Sequence, residues 1–350
     1  MGAVFLDIEK AFDRIWHDGL IFKLSELKIP KYLGAWIKTY IRNRSFSVKV
    51  ATSISNPKEI KAGCFQGSVL SPLLFNIYFN GIVKEIQDDS SLTRFALYAD
   101  DLSLWAASVR IPSINKNLNI ALAKIRKYIM KWRMKVSSEK TVVTLFDKKG
   151  IHSAKNLSVK YGETQLNYVK NPRFLGITLD PMLNFNVNSD LVLTRSNRRL
   201  NMLRKIRGTN WGVSSNLLMI TYKVLIRSIQ DYATLTIPLL TETKRLQFEI
   251  LQRKAIKIAH NIPPGTTCLE MLKIAKVDSV MDRSITQIDK YLKKSISSEN
   301  SLIKIQLNSY VTNIELFEGK EDASTKPTLL GLLLINEKSS AQQYLFAIKK

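Results

Sequence analysis

Cysteine is nearly absent: 350 residues carry two, Cys64 and Cys268, far apart in the chain. That scarcity excludes a disulfide framework and any zinc site built on closely spaced Cys and His, and it suits a reducing compartment. Long apolar runs are missing too. None reaches the roughly 18 residues of a membrane-spanning helix, so no membrane span is expected; with the motifs that follow, no membrane partner is expected either. The N-terminal stretch contains Asp7 and Glu9 and no cleavage pattern, unlike a signal peptide. Internal repeats and low-complexity tracts are also lacking. Acid is in short supply relative to base: 29 Asp plus Glu against 53 Lys plus Arg, a net charge of +24. An excess of that size implies a polyanionic partner, either nucleic acid or an anionic membrane surface. It is uneven, with +3 over residues 1–100, +15 over 101–210 and +6 over 211–350. The middle region is therefore the expected polyanion track, with a merely solvated basic surface as the plain alternative. A hydrophobic content of 45% is ordinary for a globular chain, and the length suits one large domain or two to three smaller ones.

Among the features that are present, the stretch from Phe95 to Trp105 stands out. It sets Asp100-Asp101 between apolar flanks, the pattern of a tight β-hairpin with acids at its turn. Asp is a favoured turn residue, so the pair alone reads as a structural turn. A second apolar strand, Ala3-Val-Phe-Leu, also ends in an acid, Asp7. Two buried strands of this kind, lying side by side, bring carboxylates together, and close carboxylates repel unless a cation neutralises them. Hard oxygen donors suit Mg²⁺, and two such ions about 3.5–4 Å apart serve polymerases and nucleases.

Taken in order, Phe12 brings an aromatic ring close to whatever Asp7 binds, and the lone His17 beside Trp16 reads as structural. Lys31 to Arg44 reads as a helix with Leu33, Trp36, Ile37 and Tyr40 on one stripe, and Ser45 to Val50 alternates like a strand. Within Gly63 to Pro72, Gly67 allows close backbone approach to a ligand. Ser71 followed by Pro72 reads as an N-cap with proline at the first helical position, opening a buried helix through Phe79. Ser113 to Lys135 is amphipathic, with Leu118, Leu122, Ile125 and Ile129 on one face. Strands follow at Thr141 to Phe146 and Phe174 to Asp180, with a hairpin of Leu157–Tyr161 and Leu166–Val169 around Gly162 between them. From about Asp190 the pattern is helical, over the basic Leu191 to Arg207, Leu217 to Ile229 and Leu246 to His260, until Pro263-Pro264-Gly265 breaks it. The end from Gly319 to Lys350 is weakly patterned and carries no assignment.

These stretches occur in the order of reverse transcriptase motifs. Phe5 to Asp13 resembles the first palm motif, Gln66 to Phe75 the second and Tyr98-Ala-Asp100-Asp101 the third. Ser138-Glu139-Lys140-Thr141 resembles the fourth, and Phe174-Leu175-Gly176 the fifth, the primer grip. Over most of its length the chain is similar to a reverse transcriptase of a non-LTR retrotransposon, of the jockey-like clade of insects. The resemblance implies an α+β fold. A right-hand polymerase palm, an antiparallel sheet with packed helices, would span 1–185, and a helical thumb 186–275. A mostly helical C-terminal extension of unknown function would span 276–350. The fingers that precede the first palm motif in that family would be missing, so that the chain is a fragment starting at that motif. The resemblance further implies that Asp7, Asp100 and Asp101, with the backbone carbonyl of Ile8, hold two Mg²⁺ ions, for which Mn²⁺ can substitute. Lys140 would stand near the pyrophosphate as proton donor and Phe12 would be the steric gate against a 2′-hydroxyl. Gln66 and Gly67 would touch the incoming nucleotide and template, and Leu175 and Gly176 would press on the primer. Implied partners are an RNA template, a DNA primer or nicked target DNA, and deoxynucleoside triphosphates, and the implied setting is the nucleus.

The sequence departs from the family pattern at Cys64-Phe65, where Val-Pro is usual, and at Ser71, where Gly is usual. Two functional readings follow. One is RNA-templated extension of a DNA 3′ end, favoured by the three acids. The other is a catalytically inactive remnant that binds nucleic acid through a basic palm–thumb surface, favoured by the missing fingers. A group II intron maturase ranks below both, because no intron-binding domain follows.

Overall fold

The structure is a computed structural model that describes residues 1–86, 93–147, 157–208 and 212–297, with the side chains of 295–297 left out. The architecture is α+β and divides into compact units of residues 1–175 and 176–350. The first opens with β1 (Gly2–Leu6), α1 (His17–Glu26) and α2 (Lys31–Ile41). Two small exposed ladders follow, β2 (Ser45–Phe46) with β5 (Lys58–Glu59) and β3 (Lys49–Val50) with β4 (Ser53–Ile54). Next come α3 (Ser71–Phe79), α4 (Ile82–Ile86), the hairpin β6 (Thr93–Tyr98) and β7 (Asp101–Ala106), α5 (Ile111–Lys131) and β8 (Val142–Leu145). The hairpin β9 (Lys160–Tyr161) and β10 (Thr164–Gln165), then β11 (Asn167–Tyr168) and β12 (Arg173–Phe174), complete the unit.

Five strands form the central sheet in the order β11-β8-β1-β7-β6. β1 runs antiparallel to both β7 and β8, β6 is antiparallel to β7, and β11 is parallel to β8. All five residues of β1 are buried, as suits an apolar strand flanked on both edges. Strand alternation sorts the faces. Val4, Leu6, Leu102, Leu104, Val143 and Leu145 point into a core shared with the helices. Phe5, Ser103 and Thr144 occupy the opposite face, where the Phe5 ring lies 5.2 Å from that of Phe174. Helix α5 supplies the long wall of the core: Ile114, Leu118, Leu122, Ile125 and Ile129 recur at three- and four-residue intervals, and all are buried. Each such side chain contributes about 1.5–3 kcal/mol when fully removed from water.

The second unit contains β13 (Ile177–Thr178), α6 (Asn186–Arg207), α7 (Ser215–Tyr222), a π-helical turn (Lys223–Arg227), α8 (Ser228–Tyr232), α9 (Glu242–His260), α10 (Cys268–Ala275) and α11 (Val280–Ser297). Helix α9 is its hub and packs against α6, α7, α10 and α11. Inside, Tyr222 Oη donates to Gln252 Oε1 at 2.8 Å, and Gln252 Nε2 donates to the Asp278 carbonyl at 2.8 Å. No described helix is long and apolar enough to cross a membrane.

Several local expectations need correction. Ser71 is not an N-cap: the helix already includes it, and its hydroxyl donates to the Phe65 carbonyl at 2.5 Å instead of accepting a helix N–H. The expected strand Phe174 to Asp180 is interrupted, because Leu175 and Gly176 both take a left-handed backbone (φ 45° and 77°) and turn the chain. The hairpin at Gly162 is shorter than expected; Asn167–Tyr168 leaves it to pair with β8 in the main sheet. The helix expected over Leu217 to Ile229 is divided by the π turn. The segments 298–350, including Gly319 to Lys350, lie outside the described residues.

Candidate active site

The register of β1 and β7 decides where the acids fall. Leu6 pairs with Leu102, so the next position outward sets Asp7 opposite Asp101. Alternation places both side chains on the face opposite the helical core, at one end of the sheet. Tyr98 pairs with Asp101, which leaves Ala99 and Asp100 as a two-residue turn. Ala99 sits at φ 51°, a backbone that a β-carbon disfavours, held by the strand pairing on either side. All three aspartates are half-buried.

The backbone of Asp7 is held from the other edge. Its carbonyl accepts from Ser137 N at 2.9 Å, and its N–H donates to Thr141 Oγ1 at 3.3 Å. Glu9 N donates to the Lys135 carbonyl at 2.8 Å, which makes Ile8 and Val136 an isolated antiparallel bridge. Peptide carbonyls alternate along an extended strand, so the Ile8 oxygen faces the β7 side, where the Asp100 turn lies. The segment Ser137–Thr141 is itself closed by Thr141 N donating to the Ser137 carbonyl at 2.9 Å. It carries Lys140, whose Nζ stands 3.8 Å from Asp7 Oδ2 with its side chain 74% exposed. A pair so exposed adds little stability and leaves the ammonium movable. Glu9 is otherwise engaged: hydrogen bonds from Lys135 and then Arg14 hold its carboxyl below the usual range. Among the described residues, no group of three or more His, Cys, Asp or Glu is close enough to hold a metal ion.

A second cluster joins Phe12 to the Gly63–Ser71 loop. Cys64 N donates to the Phe12 carbonyl at 2.9 Å and Gly63 N to the Ile15 carbonyl at 2.8 Å. The Gly63 carbonyl meets His17 Nε2 at 2.9 Å, so His17 is a buried structural residue as expected. The Phe12 ring packs 4.9 Å from that of Phe75. Gln66 Nε2 donates to Asp13 Oδ1 at 3.2 Å. Cys64 is buried, and burial pushes its thiol up to about 11, out of the reactive range. Gly67 takes φ 86°, and a β-carbon there would meet nothing within 4 Å, so its backbone is open to approach. The structure thus brings Asp7 together with Lys140, sets Asp101 opposite Asp7 beside the Asp100 turn, and draws Phe12, Gln66 and Gly67 onto one loop cluster. Leu175 and Gly176 form the left-handed turn after β12. At Gly176 a β-carbon would come within 2.8 Å of the Tyr232 hydroxyl. Sequence reasoning missed Ser137 and Thr141 as supports of Asp7, because only the sheet register shows them.

Comparison with known proteins gives the chain a family. The family description "Reverse transcriptase (RNA-dependent DNA polymerase)" matches residues 2–179. The chain is 28% identical to a probable RNA-directed DNA polymerase from transposon BS of Drosophila melanogaster, over 83% of this chain and 33% of the relative. It is 25% identical to the RNA-directed DNA polymerase from mobile element jockey of the same fly, over 89% of this chain and 34% of the relative. The chain therefore spans about a third of the length of these curated relatives. Apo telomerase from Candida tropicalis overlaps 87% of this chain and 52% of its own at 15% identity and a TM-score of 0.43, too loose a superposition to argue from. On the extent of the family match, the chain belongs to the reverse transcriptase (RNA-dependent DNA polymerase) family, on its jockey-like, non-LTR side.

Proposed function

We propose that this chain supplies the palm and thumb of an RNA-directed DNA polymerase of a non-LTR retrotransposon, which extends a DNA 3′ end on an RNA template in the nucleus. The observation that carries the proposal is the placement of Asp7 and Asp101 on one face and one end of the sheet, beside the Asp100 turn and the Ile8 carbonyl. The donor set is all oxygen and fits Mg²⁺ or Mn²⁺. Asp7, Asp100, Asp101 and the Ile8 carbonyl would hold the ions, with the triphosphate oxygens filling the remaining positions. Mg²⁺ commonly takes one or two carboxylates and substrate phosphates in place of a standing protein cage. When bound, two such ions lower the pKa of the primer hydroxyl and neutralise the leaving pyrophosphate.

The chain's own residues do the positioning, which is most of what phosphoryl transfer asks of a protein. Phe12, backed by Phe75, presents a fixed ring that bars a 2′-hydroxyl. Gln66, tethered to Asp13, and the open backbone of Gly67 meet the nucleotide and template. Lys140 brings a mobile ammonium beside Asp7, where it can give a proton to the pyrophosphate. Leu175 and Gly176 bear on the primer, and the cationic side chains of α6 follow backbone phosphates.

The test is primer extension by the purified chain on an RNA template with a DNA primer, Mg²⁺ and deoxynucleotides. Asp100→Ala is expected to lower synthesis by roughly a hundredfold or more, since stabilising charge at the reacting phosphate is the main catalytic contribution. Unchanged synthesis in that variant would overturn the assignment. Duplex binding without any synthesis by the parent chain would replace the polymerase with a nucleic-acid-binding module.

A further inference from the structure

Helix α2 carries aromatic surface that its own fold does not use. Ile37 and Ile41 face the core, while Tyr32 and Trp36 stand 77% and 53% exposed on the outer side. Trp36 stacks on Tyr40 with ring centroids 5.7 Å apart and planes 15° apart, and Tyr40 meets Phe65 edge-on at 5.4 Å. The guanidinium of Arg44 lies 5.1 Å from the Phe65 ring and 5.8 Å from that of Tyr40, with Nε donating to the Tyr40 carbonyl at 3.3 Å. The Tyr40 hydroxyl is hydrogen-bonded to Ser68 Oγ. Trp36, Tyr40, Phe65 and Arg44 thus form one continuous ledge, rigid at its inner end and open at Trp36, and its inner end is the Gln66–Ser68 loop itself. Residues 30–62 hold seven basic side chains and one acid, Glu59.

A flat ring stacked on a second ring, with cations around it, has the chemistry that holds unpaired bases and their phosphates. A protein partner would be expected to cover such a patch with apolar side chains, and the surplus of cations disfavours that. We infer that this ledge binds single-stranded nucleic acid, an unpaired base stacking on Trp36. Given the proposed polymerase function, the strand that reaches the Gln66–Ser68 loop unpaired is the template ahead of the active site. The ledge then holds the first bases still to be copied.

The test compares Trp36→Ala and Trp36→Phe with the parent chain by fluorescence anisotropy. The probes are a 5′-labelled single-stranded oligo(rA), its oligo(dA) counterpart, and an RNA–DNA duplex with and without an unpaired 5′ template overhang. Loss of one base–aromatic stack is worth roughly 5- to 150-fold in affinity. Trp36→Ala is expected to weaken the single strands and the overhang duplex by about fivefold at least, leave the blunt duplex unchanged, and be largely rescued by Trp36→Phe. Equal weakening of blunt and overhang duplexes, no weakening of either, or no binding of single strands by the parent chain would each overturn the inference. A failed extension assay with a ledge that still discriminates the overhang would overturn the polymerase proposal alone. Because Trp36 is exposed, its removal leaves the core intact, and an unchanged melting temperature checks this.

Discussion

Thr141 and Thr144 are both fully buried, yet their hydroxyls fare differently. Thr141 Oγ1 accepts the Asp7 N–H at 3.3 Å, while Thr144 Oγ1 has no partner among the described atoms. Thr141→Val leaves the Asp7 amide without its acceptor, and a buried unsatisfied donor costs about 1–3 kcal/mol. Thr144→Val removes a hydroxyl that already lacks a partner and is expected to be neutral or stabilising. Thermal melts should therefore separate the two variants. Extension assays should show a lower kcat for Thr141→Val, with KM nearly constant, because the Asp7 carboxylate is loosened and no substrate contact is removed. Equal melting temperatures for the two variants would deny Thr141 this role. At this scale the sequence exposed the aspartates, because acids at the ends of apolar strands are conspicuous. It did not expose Thr141, which meets Asp7 across 134 positions and only through the register of β1 with its neighbours.

At the scale of elements, two glycines of one loop do different work. Both have positive φ, 95° at Gly63 and 86° at Gly67, but a β-carbon at Gly63 would meet the Asp13 backbone at 2.9 Å, whereas one at Gly67 would meet nothing within 4 Å. A left-handed non-glycine costs on the order of 1–3 kcal/mol. Gly63→Ala adds a backbone clash to that and should lower the urea midpoint markedly. Gly67→Ala should lower it less while cutting extension more, since under the proposed function it narrows the approach to the nucleotide. The reverse order would show that the loop is positioned otherwise. Elements with a clean period were legible: the β6–β7 hairpin from its apolar flanks, and α5 from its isoleucines and leucines. Others were not. Leu175 gives no sign of a left-handed backbone, Ser71 looks like a cap because its partner carbonyl at Phe65 lies back along the loop, and the single-residue offset of the π turn is invisible to a 3.6-residue period.

For the whole molecule, charge makes the strongest statement. Helix α6 alone carries Arg195, Arg198, Arg199, Arg204, Lys205 and Arg207 against one acid, Asp190. If these follow a phosphate backbone, each neutralised phosphate contributes roughly −0.9 to the slope of log affinity against log salt. Duplex binding should then fall steeply with salt, and the double substitution Arg195→Ala, Arg198→Ala should flatten the slope by about two. An unchanged slope in the double variant would mark the helix as merely solvated. The net charge of +24 was plain in the sequence, and which helix face presents it became visible only with the packing of α6 on α9.

The position of β1 at the centre of the sheet has a consequence in time. Its two partners, β7 and β8, begin at Asp101 and Val142. At about 5–20 residues per second of synthesis, an apolar strand that leads into Asp7 waits roughly 5–20 s for its first neighbour and longer for its second. During that interval the future centre of the sheet is an unpaired, aggregation-prone strand. Co-expressed ribosome-associated chaperones are therefore expected to raise the soluble yield of this chain, a yield set by when its strands emerge as well as by how well they finally pack.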